Sequence, residues 1–339
     1  MMKNKVPELG EDIQKKTPST RVALSRVGVT SLKRILRLRS EKSTRKDDAR
    51  STLFFAEMDL FAHLDASQSG VHMSRFVENI ENIAADLSTE PSPNIETLAE
   101  RMALAIAQTQ GAARSEVRIR AQYPMAKVTP ASGTEVEDLY TFIGVAISDG
   151  TSTRRAVGVE VNGFTVCPCA REMVAEHSRN VLRKNGYSDK EAEKIASLLP
   201  LASHNQRGTG TLIVGTEMPL RAKTLVHIVE SSMSSKIYEL LKRPDELHVV
   251  TQGHANPRFV EDVVREIIRN VAETCTDLPE ESFIVARQEN FESIHSHNAY
   301  AERCGFFGDM LRELQGVPQE ATGGRYRISS LEAWLDSLL

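Results

Sequence analysis

The stretch Leu139–Gly163, LYTFIGVAISDGTSTRRAVGVEVNG, reads as a β-hairpin: two runs rich in Val and Ile flank an Asp149-Gly150 turn. Outward on the N-terminal side, SEVRIRAQYPMAKVT (Ser115–Thr129) sets Val117, Ile119 and Ala121 against charged residues, the alternation of a half-exposed strand. Two amphipathic helices come before it. MSRFVENIENIAADL (Met73–Leu87) places Phe76, Ile80 and Ile83 on one face with Ser74 as N-cap, and NIETLAERMALAIAQTQG runs from an Asn94 cap to a Gly111 stop. Further upstream, RVALSRVGVTSLKRILRL (Arg21–Leu38) and TLFFAEMDLFAHLD (Thr52–Asp65) read as strands, joined by a charged loop over Leu38–Thr52. On the C-terminal side, GTGTLIVGTEM (Gly208–Met218) reads as a strand. AKTLVHIVESSMSSKIYELLKR (Ala222–Arg243) and PRFVEDVVREIIRNVAETC (Pro257–Cys275) read as helices, the second with Phe259, Val263, Ile267 and Val271 on one stripe. ESFIVARQE (Glu281–Glu289) and SIHSHNAYAERC (Ser293–Cys304) close as strands.

Strand-strand-helix-helix-strand-strand, met twice, predicts an α+β protein of two modules, each an antiparallel sheet with its helices on one face. The expected organisation is a loose N-terminus over 1–20, a first module over 21–165, a second over 166–305 and a tail over 306–339. A helical insert, Ala170–Leu199, interrupts the second module with two amphipathic helices broken at Asn185-Gly186.

The 339 residues, 40% hydrophobic and 26% charged, have the make-up of a soluble globular protein able to bury a sizeable core. A formal net charge of -4 gives no global attraction to nucleic acid or to an anionic membrane. No apolar run reaches the length of about 18 residues that a membrane span needs. The first residues carry no apolar h-region, so no secretory signal is expected. Four cysteines without a regular framework suit a reducing compartment, and the expectation is a cytoplasmic protein. The basic stretch Lys33–Arg50, KRILRLRSEKSTRKDDAR, is the best argument for a non-catalytic nucleotide- or RNA-binding protein. It also holds Glu41, Asp47 and Asp48 and no aromatic to stack on bases, so it reads as a solvated loop.

The residues able to carry chemistry are sparse and specific. Cys167-Pro168-Cys169 is awkward for a disulfide between its own cysteines and lacks the C-x-x-C spacing of a zinc knuckle, so one thiolate can bind a metal while the other packs. Two buried small hydrophobes are the plainer alternative. SHNQRG sets His204 beside two amides and a guanidinium just ahead of a predicted strand, and LLKRPDE sets Asp245 and Glu246 in a turn after a proline that ends a helix. NFESIHSHNAY gathers Glu292, His295 and His297 within six residues, and in a strand the two histidines face one side. A thiolate, one or two imidazoles and one or two carboxylates make a mixed S/N/O ligand set for Fe(II), Zn(II) or Mn(II), with a position left open for water.

Seven blocks in order, RVGVTSLKR, GVHMSRF, CPC, HNQRG, LLKRPDE, NPRFVEDVVR and ENFESIHSHNAYAE, resemble the type IB GTP cyclohydrolases and their archaeal methanopterin-pathway relatives. The resemblance runs from about Arg21 to Arg303. It implies the tunnelling fold, two ββααββ modules per chain assembled into a ring-like homo-oligomer, a dimer or tetramer with sites between subunits. It implies GTP as substrate and one divalent metal per subunit, Fe(II) favoured over Mn(II) or Zn(II). By the same resemblance Cys167, His204, Glu246 and His295 are the metal-site residues, and Glu292 is an alternative ligand or acid/base. Glu261 is the carboxylate that anchors guanine, which makes physical sense because it accepts paired N–H donors from N1 and the 2-amino group. Arg75 and Arg207 are triphosphate contacts, since a guanidinium fork fits phosphate oxygens. Cys169, His72 and His297 are shell or substrate residues, with His204, Glu292 and His297 available for proton transfer. The long interval between CPC and HNQRG is like that of the archaeal members, which use iron and release a dihydroneopterin cyclic phosphate. GVHMSR reads like the bacterial wording, and bacterial members release dihydroneopterin triphosphate.

Overall fold

In a computed structural model, residues 12–39, 51–89, 94–317 and 328–337 are described. The chain is α+β with antiparallel strands, and it divides into two compact units. Of the described residues, those within Met1–Ile119 and Val145–Arg154 form unit 1, and those within Arg120–Gly144 and Arg155–Leu338 form unit 2. The expected module boundary at 165/166 therefore falls inside unit 2.

Unit 1 holds strands β1 (Leu24–Arg39) and β2 (Ser51–Leu64), helices α1 (Met73–Thr89) and α2 (Ile95–Gln110), and the start of β3 (Ser115–Val128). A short 3₁₀ turn, Ile13–Lys15, precedes them. β1 and β2 pair antiparallel from Leu24↔Leu64 to Arg39↔Ser51, so the described part of Lys33–Arg50 is strand and not the expected loop; residues 40–50 of that basic stretch lie outside the described residues. Met58, Leu60, Phe76, Ile80, Leu98, Met102 and Ile106 are buried where α1 and α2 pack. Fully burying a side chain of this size stabilises by about 1.5–3 kcal/mol. The expected cap and stop of α2 are present. Asn94 Oδ1 accepts the Thr97 N–H at 3.1 Å, and Gly111 takes φ 64°, where a Cβ would be strained. Ser74 is not a cap. The helix already includes Met73, so Ser74 lies within its first turn. The predicted hairpin is also there, β4 (Glu135–Ser148) and β5 (Thr153–Val166), with Asp149 Oδ1 accepting the Thr151 and Ser152 N–H groups at its turn.

In unit 2, β5 is followed by helices α3 (Pro168–Lys184) and α4 (Asp189–Leu198), and then by β6 (Asn205–Gly215). α3 and α4 pack on each other as the predicted insert, with Gly186 at φ 93° in the break. β5 and β6 pair residue by residue from Ala156↔Gly215 to Val166↔Asn205, so the insert leaves and re-enters the sheet at adjacent positions. Next come α5 (Ala222–Ser232), the two-residue β7 (Ser235–Lys236), α6 (Arg243–Ala255), α7 (Val260–Thr274), β8 (Phe283–Asn290) and β9 (Ala299–Phe306), then α8 (Phe307–Leu314) and α9 (Leu331–Asp336). The strand order is β1-β2-β3-β4-β5-β6-β8-β9, with β7 on β5. α5 packs on α7 and on β6, and α7 also packs on β8 and β9. At Gly210 an added Cβ would meet Val229 Cγ1 at 2.5 Å, so glycine is what lets α5 approach β6.

Five expectations change here. The predicted helix Ala222–Arg243 ends at Ser232, because Ser235 and Lys236 pair with Phe164 and Gly163 of β5. Pro244 opens α6 instead of closing a helix; it sits in the first turn, where its missing N–H costs nothing. The last predicted strand starts only at Ala299, so His295 and His297 lie in the loop between β8 and β9 and not on one strand face. Phe259 is the residue before α7 and is 44% exposed; the helix buries Val260, Val263, Val264, Ile267 and Val271 instead. In the expected tail, Trp334 of α9 is buried and stacked on Phe283 with ring centroids 6.1 Å apart, so this segment belongs to the core of unit 2. Among the described residues, no helix is long and apolar enough to cross a membrane.

Candidate active site

Strand pairing solves the first problem of the sequence, how CPC and HNQRG meet across the insert. Val166 and Asn205 are partners at the open end of β5 and β6, and the chain on either side is tied. Cys167 N–H donates to His204 O at 3.1 Å, and Ser203 Oγ donates to Cys167 O at 2.7 Å. Cys167 is also the N-cap of α3. Its Sγ accepts the Ala170 N–H at 3.4 Å, with Pro168 beginning the helix. Cys167 is half-buried whereas Cys169 is exposed, so the two thiols occupy different environments.

A cavity of about 250 Å³ is lined by Cys167, His204, Glu261, Glu292, His295 and His297, joined by Gln206, Arg258 and Asn290. The β8–β9 loop supplies Glu292, His295 and His297, and it is anchored at its start by Phe291 N–H on Arg207 O at 2.8 Å. The His295 and His297 rings stack with centroids 5.2 Å apart, and His204 meets His295 edge-on at 6.3 Å. Glu292 Oε2 is buried with no hydrogen-bond partner and lies 3.8 Å from His204 Nδ1. Glu261 comes from the first turn of α7, where Asp262 Oδ2 accepts the Phe259 N–H at 3.0 Å and fixes the helix start. Arg258 ties this start to the β5 end: its N–H donates to Val166 O at 3.0 Å and its Nη1 to Ser232 O at 2.9 Å.

Six of the sequence-predicted residues, Glu261 among them, thus line one cavity. Others are elsewhere. Glu246 is exposed on α6 and does not line the cavity. Its neighbour Asp245 is fully buried and clamps the β3–β4 loop. Asp245 accepts the Ala131 and Ser132 N–H groups, each at 2.8 Å, the Ser132 hydroxyl at 2.7 Å and the Lys242 N–H at 3.1 Å. Burial alone would raise its carboxyl pKa, but these donors more than reverse that and hold it well below the usual range. Arg207 is exposed on β6. His72 and Arg75 belong to unit 1: His72 Nε2 faces Asp12 Oδ2 at 3.3 Å, and Arg75 Nη1 donates to Thr109 O at 2.9 Å. Gln206, Arg258 and Asn290 were missed by sequence reasoning. The one available signal was the spacing of Gln206 two residues after His204, which sets both on one side of an extended chain.

Among the described residues, no three His, Cys, Asp or Glu side chains converge closely enough to hold an ion as they stand. The cavity nevertheless fits a divalent ion chemically: it offers a thiol, three imidazoles and a buried carboxylate oxygen that has no other partner.

An antiparallel α+β scaffold thus gathers a thiol, imidazoles and carboxylates, groups able to bind and to transfer protons, in one cavity. A family described as type I GTP cyclohydrolase folE2 matches residues 11–301. The chain is 36% identical over 310 residues to the GTP cyclohydrolase MptA of Methanocaldococcus jannaschii, covering 89% of this chain and 97% of that one. It is 37% identical over 314 residues to the MptA of Methanobrevibacter smithii, covering 90% and 98%. Among solved structures, the uricase of Arthrobacter globiformis aligns over 85% of this chain and 96% of its own, with a TM-score of 0.47 and 8% identity. The chain belongs to the type I GTP cyclohydrolase family of the folE2 type.

Proposed function

We propose that the chain opens the imidazole ring of GTP at C8, releases formate and forms 7,8-dihydroneopterin 2',3'-cyclic phosphate, using Fe(II), as an early step of pterin synthesis in the cytoplasm. The observation that carries this reading is the meeting of Cys167, His204, Glu292, His295 and His297 around one cavity with Glu261 on its wall. Cys167, His204 and His295 are the side chains that would hold the ion, with Glu292 as the alternative carboxylate to Glu246. A divalent ion held there would lower the pKa of a bound water and so supply a nucleophile at neutral pH.

The protein's own groups do the rest. Glu261 accepts N1–H and the 2-amino N–H of guanine, which turns C8 toward the histidines and rejects purines lacking that edge. Water adds at C8 and the C8–N9 bond breaks to leave a formamide, which a second water hydrolyses to release formate. The ribose then opens and rearranges, and the freed amine condenses with its carbonyl, losing water, to close the pyrazine ring. Each of these later steps moves a proton, and Glu292, His204 and His297 are placed to accept and return them. Cyclisation follows when a hydroxyl of the former ribose attacks the α-phosphorus and pyrophosphate leaves. α3 starts at Cys167 itself, so the insert begins at the cavity wall, where it influences how the phosphate tail is held. Arg207 is the guanidinium of this set nearest in sequence to the site.

The reading includes the tunnelling fold and a homo-oligomer, a dimer or tetramer. Element order supports the two ββααββ modules: β1, β2, α1, α2, β3, β4, then β5, β6, α5, α7, β8, β9, with α3, α4, β7 and α6 as insertions. An oligomer leaves the exposed Glu246 available to a neighbouring chain's site.

The test is anaerobic incubation with GTP and Fe(II), read by pterin fluorescence, formate release and product mass. Cyclic phosphate with pyrophosphate is expected. Dihydroneopterin triphosphate without pyrophosphate overturns the product, and absence of formate overturns the reaction.

A further inference from the structure

A histidine that serves as a ligand or a base must offer a lone pair on a defined nitrogen, and the partner of its other nitrogen decides which one. His204 Nδ1 lies 3.1 Å from Gln206 Oε1. Gln206 is buried, 6% exposed, and in the orientation its amide takes in this structure Nε2 donates to Thr165 Oγ1 at 3.0 Å. Thr165 is fully buried and is the direct cross-strand partner of Gln206 in the β5–β6 ladder. With the amide nitrogen held on Thr165, the atom presented to His204 is the carbonyl oxygen, which can only accept. Nδ1 must then carry the hydrogen, and Nε2 keeps its lone pair. The other group near Nδ1, Glu292 Oε2 at 3.8 Å, is beyond hydrogen-bonding distance and leaves the assignment to Gln206.

We propose that Gln206, itself oriented by Thr165, is a positioning residue that holds His204 as the Nδ1–H tautomer and leaves Nε2 as the free nitrogen of a side chain lining the cavity. Neutral histidine side chains in water favour the opposite, Nε2–H, tautomer. The protein therefore has to impose the one it uses, and a two-residue relay between adjacent strands is a rigid way to impose it. The same relay explains why a polar pair, Thr165 and Gln206, sits buried at the end of β5 and β6: each satisfies the other, and the remaining amide oxygen is spent on His204.

The importance of this tautomer for GTP rests on the function proposed above; the tautomer itself does not, and the two are tested separately. Full-length protein labelled with ¹⁵N-histidine and stripped of metal with a chelator is examined by solid-state ¹⁵N NMR at alkaline pH, where imidazole is neutral. The His204 signals are identified by their loss in His204→Gln. The wild type is expected to show Nδ1–H, Gln206→Leu to move toward Nε2–H, and Gln206→Glu, which keeps an acceptor, to retain Nδ1–H. If Gln206→Leu does not fold, Thr165→Val replaces it, and a mixture of tautomers is expected because the amide is released. A wild-type Nε2–H signal, or a tautomer unchanged in every variant that folds, overturns the proposal. Titration with Co(II), followed by its visible absorption, adds a second readout. Loss of an outer partner of a ligating histidine typically costs 10–100-fold in metal affinity, so Gln206→Leu is expected to lose about that much and Gln206→Glu to recover it. An Nδ1–H wild type that binds no Co(II) would leave the relay standing and count against the metal site.

Discussion

Lys127 is the residue whose replacement has the most calculable outcome. Its Nζ lies 2.7 Å from Glu230 Oε1, 3.1 Å from Asp138 Oδ2 and 2.7 Å from Ile237 O, and 4.3 Å above the ring of Tyr238. Glu230 and Asp138 are both buried, and Glu230 is further held by Tyr140 Oη at 2.7 Å and Lys236 Nζ at 2.9 Å. Lys127→Met keeps the length of the side chain but strips one ammonium from two buried carboxylates. Removing one partner of a buried pair costs about 3–5 kcal/mol. Lys236 and Tyr140 stay in place, so the lower end, about 3 kcal/mol, applies. At about 2–4 °C per kcal/mol for a unit of this size, Tm falls by about 6–12 °C. The pH dependence carries a second signature. Burial would raise the Glu230 carboxyl, but Lys127 and the hydrogen bonds outweigh it and hold the pKa below the ordinary value. A carboxyl lowered in this way stabilises the fold above its unfolded pKa, about 4.3, and that stabilisation is lost as pH falls through the folded value. The variant has less to lose on acidification, so its deficit in Tm is full near neutral pH and narrows as pH falls below about 4.3. Differential scanning calorimetry of both proteins across that range is the assay. Equal Tm values at neutral pH, or a deficit that does not change with pH, would refute the reasoning.

Two further outcomes concern the cavity. Cys167→Ser and His204→Ala are each expected to lose GTP turnover by at least about a hundredfold, while Cys169→Ala, whose thiol is exposed, stays within a few-fold; full turnover in Cys167→Ser, measured by formate release, would remove that residue from the site. Glu261→Gln is expected to lower kcat/KM for GTP by one to two decades, the worth of a charged hydrogen bond of about 1.5–3 kcal/mol, with Tm unchanged because Glu261 is exposed; an unaltered kcat/KM rules out the guanine anchor.

Much of the fold is legible in the sequence because local signals and tertiary packing agree. Asn94 and Gly111 bracket α2 as expected, since a capping amide and a left-handed glycine are decided within a few residues. The misreadings fall where distant pairing overrides local pattern. The run after Ser232 has helix-forming residues, but β5 recruits Ser235 and Lys236 as a short strand, and Pro244, read as a stop, is a start. His295 and His297 line one cavity without sharing a strand, because loop anchoring at Phe291 and ring stacking bring them together. For the site, residue types and their order point to Cys167, His204 and the Glu292–His297 cluster. Which of them meet depends on the β5–β6 register, and no local pattern places Glu246 outside the cavity or Gln206 behind His204.

The insert has an implication for how such a protein can change over time. Its two ends are fastened at neighbouring rungs of the sheet, by Val166 against Asn205 and by the bonds between Cys167, Ser203 and His204. Only the first turn of α3, through the Ala170 N–H on Cys167 Sγ, takes part in holding the cysteine. Everything beyond that turn is a socket into which chain of many lengths can be fitted, because doubling a loop adds only about 0.6 kcal/mol to its closure. Mutation can therefore lengthen, shorten or remodel α3 and α4 without disturbing the apposition of Cys167 and His204. The length of chain between Cys167 and His204 is thereby uncoupled from the distance between them.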